Sequence, residues 1–190
     1  MTILTVRRIG VGVFLLLSFF SAPSVAAAKD AEPPTLDALA HQLRTPELLE
    51  KFMSKHFLYL GDPALFGREE YWQTPEEMAG REEGDCEDFA GFAEAILKRN
   101  GYHTFLFSVY GEDDAHTVTV FEREGKWGLF DLDRLLYLKH DSLEEVGDKI
   151  KPHWSYLGLM RREGNFGLIS RKFRAGKIKD FNLSLLSSHS

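Results

Sequence analysis

A single cysteine, Cys86, occurs in the 190 residues, within Gly84-Asp85-Cys86-Glu87-Asp88-Phe89-Ala90. A thiol attacks a carbonyl carbon as the thiolate, so a reactive cysteine needs surroundings that bring its usual pKa of about 8.5 down. The first turn of a helix offers a positive dipole end and unpaired N–H groups, worth roughly 0.3–1 kcal/mol to an anion. Asp85, Glu87 and Asp88 oppose the thiolate with three negative charges. The helix end alone is too weak to win, so a partner that takes the proton is required, and histidine suits that role. One cysteine has no partner for an internal disulfide, and with scattered histidines it lacks the ligand spacing of a zinc site.

Seven histidines compete: His41, His56, His103, His116, His140, His153 and His189. His116 stands out because it follows the acidic stretch Gly111-Glu112-Asp113-Asp114 and opens an alternating strand. With Glu122-Arg123-Glu124-Gly125 as a four-residue turn, His116 lies opposite Asp131, Val118 opposite Leu129 and Val120 opposite Trp127. An imidazole–carboxylate pair then closes the open end of an apolar face, with opposed Cβ atoms about 4.5–5.5 Å apart. A shifted turn pairs His116 with Asp133 and sets Asp131 against Val118, so the first register is preferred. The set then has three roles. Cys86 is the nucleophile, His116 takes and returns the proton, and Asp131 orients the imidazole. The backbone N–H of Cys86 supplies half of an oxyanion hole, and a side-chain N–H of Trp72 or Gln73 the other half.

The elements that must position these residues are legible in outline. Leu36, Leu39, Ala40 and Leu43 recur at helical spacing. Thr45-Pro46-Glu47 opens a second helix running to about His56. Gly61-Asp62-Pro63 breaks the chain, and Thr74-Pro75-Glu76-Glu77 is a capping box for a short helix ending before Gly84. Asp85 caps the cysteine helix, whose apolar face is Phe89, Phe92, Ala93, Ile96 and Leu97 and whose stop is Asn100-Gly101. The period then changes to two, predicting strands over 104–110, 116–122 and 127–131. Ser142-Leu143-Glu144-Glu145 starts a helix closed off by Pro152. Residues 166–173 read as a strand and 182–190 as a frayed end. Helices followed by an antiparallel sheet give an α+β fold, with the nucleophile helix packed on the sheet.

The N-terminus reads as an export signal over residues 1–28. Arg7 and Arg8 precede an apolar run from Ile9 to Phe20, which is too short for a membrane span of about 20 residues. Cleavage after Ala26 or Ala28 leaves one domain, 29–190, with its core at about 71–136. The expected location is periplasmic or secreted, with no stable membrane span. Residues 29–150 carry a net charge of −14 and 151–190 a net of +6, against −6 for the whole chain. The basic C-terminal extension, 151–190, folds back on an acidic body or meets an anionic partner. An acidic, exported chain argues against nucleic acid.

The cysteine motif, with Ala115-His116-Thr117-Val118 and Trp127-Gly128-Leu129-Phe130-Asp131, resembles the transglutaminase-like superfamily. The nearest branch is that of the bacterial transglutaminase-like cysteine proteinases. The resemblance spans about 71–136 and implies a papain-like core with Cys86, His116 and Asp131 as triad. Where the motif has Asp-Pro, this chain has Asp131-Leu132-Asp133. The resemblance also implies that calcium can bind near the cysteine, where Asp85 and Glu87 offer hard oxygen ligands, although no cofactor is required for the thiol chemistry. The activity expected is cleavage of a peptide or amide bond in a protein or peptide of the cell envelope. The alternatives are acyl transfer that cross-links proteins, favoured by a water-excluding wall of Trp72 or Trp154, and a non-catalytic binding module on the same fold.

Overall fold

Helix caps fix the N-terminal half. The computed structural model describes residues 34–178 and 181–187, so the export-signal reading of 1–28 lies outside the described residues. Thr35 and Thr45 each accept a backbone N–H with their side chains, opening α1 (Leu36–Gln42) and α2 (Pro46–His56). After the short strand β1 (Leu58–Tyr59) comes α3 (Asp62–Phe66). Thr74 and Glu77 form the capping box of α4 (Pro75–Arg81), as their spacing predicts. Strand β2 (Glu83–Gly84) pairs in parallel with β1 and leads into α5 (Cys86–Arg99), so the cysteine is the first residue of its helix.

The rest is one sheet. Its strands are β3 (His103–Tyr110), β4 (Ala115–Arg123), β5 (Lys126–Asp131), β6 (Arg134–Tyr137), β7 (Tyr156–Glu163) and β8 (Phe166–Arg174). They lie in the order β6-β5-β4-β3-β7-β8, every neighbour antiparallel. Helix α6 (Leu143–Ile150) precedes β7, and α7 (Ser184–Ser187) ends the described chain. Among the described residues no helix is long and apolar enough to cross a membrane.

Both faces of the sheet are covered. On one, Phe89, Phe92, Ala93, Ile96 and Leu97 of α5 pack with α1, α2, Phe121 and Phe130. On the other, Leu143 and Val146 of α6, with Trp154 and Leu183, cover Phe107, Val109, Val118, Val120, Leu129 and Leu157. Trp154 belongs to this second cluster, where it packs on Gly147 and its Nε1–H donates to Asp148 at 3.0 Å. This two-sided cover also explains why β7 escapes a reading by alternation. Strand β7 buries Leu157 and Gly158 in succession, so no period of two survives.

The β4–β5 register corrects the expected turn. Glu124 and Gly125 both hold positive φ, 55° and 77°, and Arg123 pairs with Lys126. This is a two-residue turn of the primed type, whose twist matches the strands and which a four-residue turn does not match as well. Val120 consequently faces Leu129, not Trp127. His116 and Asp131 are offset diagonally instead of directly opposed, and diagonal neighbours remain within reach of long side chains. After Asp131 the chain turns through Leu132 at φ 55°. Proline, locked near −65°, has no access to that conformation, which accounts for the absence of proline after Asp131.

Candidate active site

Three elements, α5, β4 and β5, carry the chemical groups. Helix α5 presents Cys86 at its first turn, and its seat on the sheet is set by Thr119, whose hydroxyl donates to the Ala90 carbonyl at 2.5 Å. Ala90 is one helical turn beyond Cys86, so this bond holds the sulfur at a fixed height against β4. The backbone N–H of Thr117, next to His116, points at the sulfur. Across the sheet the Thr117 and Ser108 hydroxyls bond at 2.8 Å.

His116 donates from Nε2 to Asp131 Oδ1 at 2.8 Å. That bond holds the Asp131 carboxyl below the usual carboxylate range. It also assigns the ring's tautomer, because a proton on Nε2 leaves Nδ1 as the basic nitrogen. The sulfur of Cys86 is half-buried and donates to Glu87 Oε2 at 3.1 Å. Among the described residues no hydrogen bond joins the sulfur to the imidazole.

The surroundings of the thiol oppose its ionisation. Burial pushes its pKa up, the adjacent Glu87 charge adds to this, and only the Thr117 N–H opposes. Glu87 is itself pushed up to about 9, first by burial and then by the neighbouring Asp85 carboxylate. Burial also raises Asp85. Asp62, contributed by α3 and 1% exposed, is raised to about 6 by burial and by Asp85. The sequence offered Asp62 only as part of a chain break. Its burial against Asp85, 23 positions further on, has no signature in local spacing.

These carboxylates form a nest of hard oxygen donors. Asp62, Asp85 and Asp88 bring ligand atoms within 4.8 Å of one another, as do Asp62, Glu70 and Glu87. Asp62 Oδ1, Asp85 Oδ1 and Glu87 Oε1 are buried without a hydrogen-bond partner. Orphaned buried carboxylate oxygens are costly unless something positive meets them. The donor set is all oxygen and flexible in number, which fits calcium better than zinc.

Trp72 and Gln73 are placed differently from each other. Gln73 is 1% exposed and donates from Nε2 to Asp88 Oδ2 at 2.6 Å and to the Glu83 carbonyl at 2.9 Å. Its N–H groups already have partners, so it acts as a clasp between the chain before α4 and helix α5. Asp88 completes the clasp by accepting from the Gln73 backbone N–H at 2.8 Å and the Asp85 N–H at 3.3 Å. The Trp72 Nε1–H donates to Glu70, a surface carboxylate, at 2.7 Å.

Gly84 lies inside this clasp. A Cβ there would sit 2.6 Å from Asp88 Oδ2 and 2.8 Å from Gln73 Nε2. Gly84→Ala is therefore expected to break the clasp and cost about 1–3 kcal/mol, since buried donors lose their acceptor. A melting curve that matches the parent protein would contradict this.

Residues 40–152 match the family profile for a transglutaminase-like domain. No match is found among curated proteins. Solved structures with a similar course of chain include a Cytophaga hutchinsonii protein provisionally assigned as a cysteine protease, at 18% identity and TM-score 0.43 over 54% of this chain and 40% of that one. Legionella pneumophila LapG is similar at 23% identity and TM-score 0.41, over 64% of this chain and 66% of LapG. Its calcium-bound form is similar at 21% identity and TM-score 0.40, over 75% of this chain and 78% of that one. The chain thus spans less than half the length of the Cytophaga protein and just under two thirds of the first LapG structure. With more than half of its residues inside the family profile, the chain belongs to the transglutaminase-like family.

Proposed function

We propose that this protein is an exported thiol peptidase or amidase that acts on a protein or peptide of the cell envelope. The observation that carries the reading is the His116–Asp131 hydrogen bond at 2.8 Å, together with the N–H of the next residue, Thr117, at the sulfur of a cysteine that begins a helix. Asp131 holds the imidazole with its proton on Nε2, so Nδ1 is the atom that accepts the thiol proton. The sulfur then attacks the carbonyl carbon, and the carbonyl electron pair moves to oxygen. The Cys86 N–H has no acceptor within its own helix and receives that oxyanion. Trp72 is the better second donor, because its partner Glu70 is exposed while those of Gln73 are buried. The imidazolium returns the proton to the leaving amine as the carbon–nitrogen bond breaks. Water, activated by the same Nδ1, releases the acyl group.

Asp85 and Glu87, joined by Asp62, would hold calcium in this reading. The ion supplies positive charge that offsets the buried carboxylates.

The test compares the protein with Cys86→Ala on a denatured envelope extract, followed by identification of new peptide amino termini. New termini with the parent alone are expected. Isopeptide-linked products without new termini would shift the reading to acyl transfer. The same products from both proteins would overturn it.

A further inference from the structure

We propose that the sheet end beside Cys86 carries a subsite for a carboxylate-bearing residue of the substrate chain, held by Lys172 and Arg174 over the paired rings of Tyr110 and Tyr156. The inference rests on the reading of Cys86 as a nucleophile acting on a peptide, and it goes further by naming what kind of peptide.

Position comes from the register. Thr117 meets the sulfur through its backbone N–H, and its cross-strand partner is Ser108. Ser108 pairs on its other side with Gly158, and Gly158 with Lys172. Three interstrand steps of about 4.8 Å put Lys172 about 14 Å from Thr117 along a straight row. Thr117, Ser108 and Gly158 are themselves buried, so a peptide spans that distance over the more exposed row beside them, and at about 3.3 Å per residue it does so with about four residues. The next row on the same face is Ala115, Tyr110, Tyr156 and Arg174. Tyr110 and Tyr156 stack with centroids 4.1 Å apart. Gly158 makes room for the Tyr110 ring, since a Cβ there would already lie 3.2 Å from it. Ser155, Tyr156, Lys172 and Arg174 line a surface cavity of about 430 Å³.

Charge supplies the chemistry. Lys172 Nζ sits 3.3 Å from the centre of the Tyr156 ring. A cation held over a ring still has N–H groups to give to a carboxylate. Among the described residues neither Lys172 nor Arg174 has a carboxylate within 4.0 Å. This is notable in a chain whose residues 29–150 carry a net of −14. This end of the sheet is therefore polarised, with Glu70 and Asp85 on the sulfur side and two uncompensated cations on the far side. An acidic residue close to the scissile bond meets repulsion, while one about four residues away meets an attractive field and an apolar ring.

The experiment measures binding of two rhodamine-labelled Ala/Ser decapeptides by fluorescence anisotropy, one with a central Glu pair and one with a central Lys pair. The parent protein is expected to bind the Glu peptide about tenfold more tightly, with the difference falling as salt rises. The double variant Lys172→Glu/Arg174→Glu should lose or reverse the preference, and Lys172→Ala/Arg174→Ala should abolish it if charge reversal impairs folding. Equal binding of the two peptides, or a preference that survives both double variants, overturns the subsite. Alkylation of Cys86 by iodoacetamide is followed in parallel. A Glu preference without any alkylation leaves the subsite standing and removes the nucleophile. Alkylation without a Glu preference does the reverse.

Discussion

Asp131→Asn is expected to lower peptide-bond turnover by about 10³- to 10⁴-fold while leaving the melting temperature within a few degrees of the parent. The reason is the tautomer. The carboxylate accepts from His116 Nε2 at 2.8 Å and so reserves Nδ1 for the thiol. An asparagine amide can offer its NH₂ to the same nitrogen, which moves the ring proton to Nδ1 and blocks acceptance of the thiol proton. His116→Ala should lose at least as much, because it removes the base altogether, and the two losses should not add. Steady-state turnover of the single and double variants checks this. Full additivity would mean that the two residues act separately.

The second large effect concerns the buried acids, and its sign is opposite to that of ordinary surface carboxylates. Asp62 and Asp88 have folded pKa values of about 6 against 3.8 for the free group, and Glu87 about 9 against 4.5. A raised folded pKa means that the native state binds more protons than the unfolded one. Stability from these groups is complete below the unfolded pKa and is lost as pH rises through the folded value. The metal-free protein should therefore melt at progressively lower temperature as pH rises from about 4 to about 9. Asp131, whose pKa is lowered, contributes throughout that range and does not offset the trend. Glu87→Gln should remove the upper part of the decline. In the same chelator-containing buffer it should move Cys86 alkylation to lower pH, since the thiolate no longer forms 3.1 Å from a potential anion. Calcium should raise the parent's melting temperature most where the nest is ionised. A melting temperature that climbs steadily from pH 4 to 9 without metal would contradict the assignment of these charges.

How much of this was legible in the sequence varies with the range of the interaction. Helix α5 was readable from one end to the other, because a capping acid, an apolar stripe and an Asn-Gly stop all act locally. The α+β architecture followed from the change of period after Gly101. The turn at Glu124-Gly125 was misjudged because glutamate at positive φ is uncommon, and a non-glycine residue there does not advertise a two-residue hairpin. The proximity of His116 and Asp131 survives that error because diagonal and direct neighbours are both close in an antiparallel pair. Strand β6 is four residues long and lies at the sheet edge, too short for alternation to register. The acid nest was half visible. Asp85 and Glu87 flank the cysteine in sequence, whereas Asp62 reaches it only through the packing of α3. Gln73 was a reasonable oxyanion donor by chemistry. Its burial in the Asp88 clasp belongs to tertiary structure.

The central claim is that Cys86 loses its proton to an imidazole steered by Asp131, despite the acids that surround it. The rate of iodoacetamide alkylation of Cys86, followed across pH in the calcium-loaded parent and in calcium-loaded His116→Ala, tests it most directly. The parent should react selectively at Cys86 with a profile that turns on well below that of a free thiol. The variant should be slower by about 10²-fold at neutral pH and turn on only as the free thiol titrates. Superimposable profiles for the two proteins would show that the imidazole does not govern the sulfur.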